Sequence, residues 1–202
     1  MREKEDPRVI RTRKLLQEAF IQLMAEKEYE KITIANITSY ATVNRATFYL
    51  HYLDKEDLLT QTVDEMFRQL FGEALHIPPG NLPIDELQRY IAEHIFSSIA
   101  QYDKFFRVML IKKGMPNFLD HMRNFFFNFY DDRISKASFE TLPVPNEIIA
   151  SYIASAYTGM ISWWIENDMP YTPEEMVEQM IFINQKGPTG ILKMHVRNDD
   201  QS

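Results

Sequence analysis

Residues 33–58 read TIANITSYATVNRATFYLHYLDKEDL, and this stretch decides the fold. Thr33 has the side-chain oxygen of a helix N-cap, and Ile34, Ile37 and Ala41 follow it on one helical face. Thr42 and Val43 make a turn. Asn44 caps a second short helix to about His51, with Phe48 directed inward beside Val43. Asp54, with Asp57 three residues later, is a variant capping box that opens a longer helix carrying Leu59, Val63, Met66 and Leu70 on its apolar face. Two short capped helices joined by a tight turn, the second polar on its exposed side, have the grammar of a helix-turn-helix. In that motif the second helix can enter the major groove of DNA.

The punctuation continues in both directions. Upstream, Asp6 is a cap and Pro7 occupies the first helical position, where its missing N–H costs nothing. Leu16, Ala19, Phe20 and Leu23 then recur at helical spacing to about Glu26. Downstream, Pro78, Pro79, Gly80 and Pro83 mark a junction between a head, residues 1–80 with a connecting helix over about 54–76, and a body, residues 81–202. In the body, Leu87, Ile91, Ile95 and Ile99 define a long helix, and Phe105 to Ile111 a short one ended by Gly114 and Pro116. A third spans about Asn117 to Ala137, and Pro143 and Pro145 close it. Asn146 caps a helix over 147–166, and Thr172-Pro173-Glu174-Glu175 is a capping box opening a last helix to about Gln185. No stretch alternates as a strand does, so the chain reads as all-α.

Composition bounds what such a chain can be. Its 202 residues are 45% hydrophobic and 13% aromatic, enough to fill a core and too apolar for a disordered chain; only Asn198 to Ser202 read as frayed. The absence of cysteine excludes disulfides and thiolate metal sites. No apolar stretch behind the charged N-terminus reads as a signal peptide, and no uninterrupted apolar run approaches the ~20 residues of a membrane span. The expectation is a cytoplasmic protein with no membrane partner. The net charge of −7 hides an uneven distribution: residues 1–56 hold ten Lys or Arg against nine Asp or Glu, the remainder 12 against 20. Arg8, Arg11, Arg13 and Lys14 lie close together in the head.

Within the motif, Asn44, Arg45, Thr47 and Tyr49 are the residue types that face DNA. Arg45 can donate to guanine or phosphate, Asn44 and Thr47 to bases or backbone, and the Tyr49 hydroxyl to phosphate. Lys55 in the first turn of the next helix, and Thr33 at the start of the first, can meet phosphates together with free backbone N–H groups. A well-capped helical hairpin in any all-α protein shares this local pattern.

Ala19-Phe20, Tyr29, Thr33-Ile34, Ile37, Ala41, Val43, Thr47-Phe48-Tyr49, His51-Tyr52, Lys55 and Leu58 together resemble the N-terminal signature of TetR-type transcriptional regulators over roughly residues 8–59. The resemblance implies a three-helix head, a connecting helix and a helical body that dimerises. It places the Asn44 to His51 helix in the major groove, Ala46 included, with Thr33, Tyr49, His51 and Lys55 anchoring the DNA backbone. Two departures stand out. Thr42 replaces the usual glycine of the turn, where a positive φ would strain it, and Arg45-Ala46 stands where many members carry glycine or proline before the threonine.

The resemblance also implies a homodimer on a palindromic operator, formed through the last two long helices. Ala154, Ala156, Gly159 and Met160 permit close approach there, and Trp163, Met180, Ile181 and Ile183 add apolar area. It further implies a small apolar or aromatic effector that releases a repressor from DNA. Phe105, Met109, Phe125, Phe126, Phe129 and Trp164 are candidate pocket walls, with His121, Tyr130 and Tyr157 as orienting groups. Plain core is the stronger reading for most of these side chains, with about one in three expected on a pocket wall, and an activator or an interaction module of the same fold is the alternative function.

An enzyme is disfavoured. The chain has no G-x-S-x-G, P-loop, G-x-G-x-x-G or H-E-x-x-H motif. His51, His76, His94, His121 and His195 are scattered, with none at metal-ligand spacing, so neither metal nor cofactor is expected. Glu174 and Glu175 are explained by the helix start they sit on.

Overall fold

The computed structural model describes residues 6–75, 83–111, 115, 117–136 and 142–192, and every regular element among them is helical. The head comprises α1 (Pro7–Glu26), a 3-10 turn (Tyr29–Lys31), α2 (Ile34–Tyr40), α3 (Arg45–Tyr49) and the start of α4 (Lys55–Leu75). The body comprises α5 (Ile84–Gln101), α6 (Asp103–Leu110), α7 (Phe118–Lys136), α8 (Asn146–Glu166) and α9 (Pro173–Lys186). Most of the junction expected around residue 80, and the breakers Gly114 and Pro116, lie outside the described residues.

Local chemistry sets most of the boundaries. The Asp6 carboxylate accepts the Arg8 N–H at 2.8 Å and opens α1. Thr33 and Asn36 form a reciprocal box at α2, and Thr172 and Glu175 another at α9. One expected cap is absent. The residue before α8 is Pro145, Asn146 already lies inside the helix, and no side chain caps this end.

Leu16, Phe20, Ile37, Phe48, Tyr52, Leu58 and Leu59 form the buried interior of the head. α6 lies between α1 and α8, while the body is built on the α7–α8 and α5–α9 pairs. Arg89 of α5 forks onto both carboxylate oxygens of Glu178 on α9. Arg107 of α6 reaches Asp168, 2.7 Å away in the α8–α9 turn. The apolar stripe of α4 is wider than its sequence spacing suggests: Phe67 and Phe71 are buried, whereas Met66 is only partly covered. α8 is, among the described residues, the one helix with the length and mean hydropathy, 1.2, to cross a membrane. Its inner side is core, with Ala150, Ala154, Tyr157, Ile161, Trp164 and Ile165 all buried.

The turn that aims α3 is a Schellman motif. Val43 N–H donates to Thr38 O at 3.0 Å and Thr42 N–H to Ser39 O at 3.2 Å. Thr42 itself sits at φ +56°, the conformation that glycine adopts without steric cost. A β-branched residue there is strained by about 1–2 kcal/mol. Thr42→Gly relieves that strain but adds freedom to the unfolded chain, so a net stabilisation of about 0.5–1 kcal/mol is expected. Urea unfolding checks it; an unchanged or lower midpoint would show that the strain does not exceed the entropic cost of glycine.

Candidate nucleic-acid interface

α2 and α3 pack against each other and leave Ala35, Ser39, Tyr40, Arg45, Ala46 and Tyr49 exposed. The most telling property of this segment is charge: no Asp or Glu occurs between Lys31 and Asp54, in a chain that carries 29 of them. This acid-free interval was readable in the sequence but concealed by the net charge. A surface that accepts phosphates must exclude carboxylates before it gathers cations.

α3 is anchored by Phe48, whose ring is fully buried, edge-on to Tyr49 at 5.5 Å and tilted against Tyr52 at 5.7 Å. Around this anchor the polar residues pair. Asn44 Oδ1 accepts from the Thr47 N–H at 2.8 Å and from its hydroxyl at 3.0 Å. Arg45 donates to the Tyr49 hydroxyl at 3.2 Å and its guanidinium lies 5.7 Å from that ring. These contacts hold Arg45 and Tyr49 together on an exposed flank. Ala46 is exposed, and His51 lies with its ring 6.4 Å from that of Tyr52. Asn44, Arg45, Ala46, Thr47, Tyr49 and His51 therefore come together on and around one short helix. Thr33 sits at the start of α2, its hydroxyl 2.9 Å from Asn36 Oδ1.

Lys55 has a structural task that its sequence position did not reveal. Its ammonium donates to Tyr29 O at 2.7 Å and Ile32 O at 3.0 Å and lies 3.9 Å from the centre of the Tyr29 ring. Burial lowers the Lys55 pKa, and burial with the nearby carboxylates Glu56, Asp54 and Glu30 raises that of the Tyr29 phenol. Two of the three ammonium protons thus tie the start of α4 to the α1–α2 connection, leaving one for any outside acceptor.

The body residues divide sharply. Phe105, Met109, Phe126, Phe129, Tyr130, Tyr157 and Trp164 are buried, and Phe125 is partly buried against them. Their rings form one connected network: Phe105 meets Phe118, which meets Phe67, and Phe67 meets Phe125 at 5.1 Å. From Phe125 the contacts pass through Phe126 to Tyr157, and thence to Tyr130 and Phe129 on one side and Phe96 and Trp164 on the other. Burial pushes the Tyr157 pKa up to about 12 and that of Tyr130 well above its ordinary value, so both phenols stay neutral. His121 Nε2 lies 2.7 Å from Asp64 Oδ1, joining α7 to α4. These side chains pack on one another; a cleft of about 450 Å³ lies elsewhere, lined by Arg13, Gln17, Gln61 and Tyr102 among others.

Of the residues expected at a dimer surface, Trp163 is 47% exposed and stacks on Tyr171 at 6.2 Å. Gly159 is exposed, Ala156, Met160 and Ile183 are half-buried, and Met180, at 1% exposure, belongs to the protomer's own core. Periodicity had shown that α9 has an apolar face without showing which way each apolar residue turns. Exposed Ile148, Tyr152 and Phe182 were missed, although the spacing Ile148, Tyr152, Gly159, Trp163 already traces a stripe along α8.

Lys55→Met leaves two carbonyls without their charged donor, and about 2 kcal/mol of stability is expected to be lost. A variant that unfolds like the wild type in urea would show that the clasp carries no stability.

Comparison with known proteins agrees with this geometry. Residues 16–62 match the family model described as bacterial regulatory proteins, tetR family, and residues 85–186 match one described as a transcriptional regulator C-terminal region of that family. The uncharacterized HTH-type transcriptional regulator YxbF of Bacillus subtilis is 27% identical over 185 residues, covering 89% of this chain and 47% of YxbF. This chain thus spans about half the length of that relative. The HTH-type dhaKLM operon transcriptional activator DhaS of Lactococcus lactis is 27% identical over 72% of this chain and 74% of its own. Among solved structures, the transcriptional regulator FadR from Bacillus subtilis, in complex with stearoyl-CoA, superposes with a TM-score of 0.65 at 16% identity, covering 84% of this chain and 96% of FadR. With both models matched in order along one all-helical chain, the protein belongs to the TetR family and is a transcriptional regulator.

Proposed function

We propose that this regulator represses transcription from the cytoplasm, as a homodimer that binds a palindromic operator through Asn44 to Lys55 and is released by a small apolar effector. The observation that carries the DNA-binding reading is the carboxylate-free run from Ile32 to Leu53 that forms α2 and α3, with Arg45 and Tyr49 held together on α3. Asn44, Arg45, Thr47 and Tyr49 then meet bases and phosphates, and Thr33, His51 and Lys55 flank the sugar-phosphate backbone. Head and body divide near residue 80. The chemistry assigned to the chain is binding rather than catalysis.

Dimerisation is supported by α8. Its apolarity is not used up within the protomer, because Ile148, Tyr152 and Trp163 remain exposed on the side away from the core. One head covers a short site, and a twofold pair covers two half-sites about one DNA turn apart. An apolar effector is supported by the structural relative solved with stearoyl-CoA. A ligand that favours one body packing shifts DNA affinity only by its differential affinity for the two states. A second reading, activation, is favoured by the relative named as an operon activator; a promoter reporter separates the signs.

The test is binding of the full chain to duplexes selected from a random pool, repeated across salt concentrations. Preference for a palindrome is expected, with a log–log salt slope of about −5 if each head neutralises about three phosphates. Arg45→Ala should weaken binding by about tenfold or more. Absence of any sequence preference would remove the DNA-binding reading. Independently, Trp163→Asp is expected to shift sedimentation from dimer to monomer while preserving helix content; a variant that stays dimeric would place the interface elsewhere.

A further inference from the structure

α3 is buried on one side only, and the strip opposite its anchor is apolar. At about 100° per residue, Ala46 and Leu50 stand roughly 160° to either side of buried Phe48, so this i, i+4 pair occupies the outermost line of the helix. Leu50 continues the helical conformation, at φ −75° and ψ −18°. It is 81% exposed and, with Leu53 at 82%, among the most exposed large apolar residues of the described chain. Beside it, Asn44 pairs with Thr47 and Arg45 with Tyr49. The outermost line of the helix therefore offers methyl groups, while its flanks offer polar groups already held in position.

In the major groove each base pair shows a distinct pattern of donors and acceptors, and thymine alone adds a methyl group. We propose that Leu50, with Ala46 one turn before it, is a specificity-determining contact that reads thymine methyl groups in each operator half-site. The proposal rests on the DNA-binding reading above. Charge selects DNA as the occupant of this face over another protein. An apolar strip with no carboxylate from Lys31 to Asp54, flanked by Arg45, matches a groove whose walls are anionic and whose floor carries methyl groups.

The experiment uses the operator selected by the full wild-type chain. Its thymines are replaced by deoxyuridine at symmetric positions, one pair at a time, which removes the methyl and leaves every hydrogen-bonding group. Affinity is read by fluorescence anisotropy for the wild type and for Leu50→Ala. Burying one methyl changes affinity about fourfold, so the wild type should lose about 10- to 15-fold at one symmetric pair. Leu50→Ala, at an exposed position, should keep its helix content and its affinity for unrelated duplex, and bind thymine and uracil operators equally. The inference is overturned if the wild type is indifferent to every replacement, if its half-sites contain no thymine, or if Leu50→Ala retains the full methyl effect; in these cases operator binding itself stands. A chain that selects no duplex overturns both readings together.

Discussion

α4 is a single helix that runs along one continuous buried core. Its first half supplies Leu58, Leu59 and Val63 to the interior shared with α1, and its second half supplies Phe67, Leu70 and Phe71 to the rings of the body. Twenty-one residues at about 1.5 Å each make a rod of roughly 30 Å. Bending it would break backbone hydrogen bonds that have no other partner in a packed interior. Head and body are thus joined by α4, and α1 also packs against α6. Lys55 clasps its start to the carbonyls of Tyr29 and Ile32, Asp64 meets His121 midway, and Leu70 O accepts the Ser98 hydroxyl near its end.

The body is built to hold that rod firmly. From Phe67 and Phe71 the ring contacts run through Phe125 and Phe126 to Tyr157 on α8, the helix whose opposite side leaves Ile148, Tyr152 and Trp163 exposed. Close-packed interiors accommodate displacement by switching between discrete arrangements, because each ring already fills the space left by its neighbours. α4 and α8 are thus linked through a short series of ring contacts, while residues 50–54 form a short connection between α3 and α4, outside both helices.

Much of this was legible in the sequence because it is written in local chemistry. Asp6-Pro7, Thr33, Asn44 and Thr172 announce helix starts through oxygen atoms that reach only a few residues along the chain. The αL turn at Thr42 was suspected from the residue that stands where glycine is usual, and the structure places it at φ +56°. Longer-range facts were hidden. Nothing local says that Lys55 folds back onto Tyr29, that Met180 turns inward while Phe182 turns out, or that Phe67 and Phe71 extend the buried side of α4. Asn146 failed as a cap because Pro145 already supplies the extended residue before α8, at φ −54° and ψ 142°.

On the proposed DNA-binding reading, a chain with one cation between Lys31 and Lys55 would obtain selectivity differently from a strongly basic protein. Non-specific attraction to DNA scales with the phosphates neutralised and fades with salt, whereas burying a methyl group against a leucine depends on area and scarcely on ionic strength. Arg45 is the one Lys or Arg between Lys31 and Lys55, and Leu50 lies at the outer edge of the same helix, so the proposed interface would add an apolar contact to its phosphate contacts. The acidic excess of residues 57–202, 20 carboxylates against 12 cations, would repel DNA from the rest of the chain on the same reading. On the proposed reading, phosphate contacts would raise affinity for every sequence alike, whereas an apolar contact would add to it only where the base matches and so would raise the ratio of specific to non-specific binding.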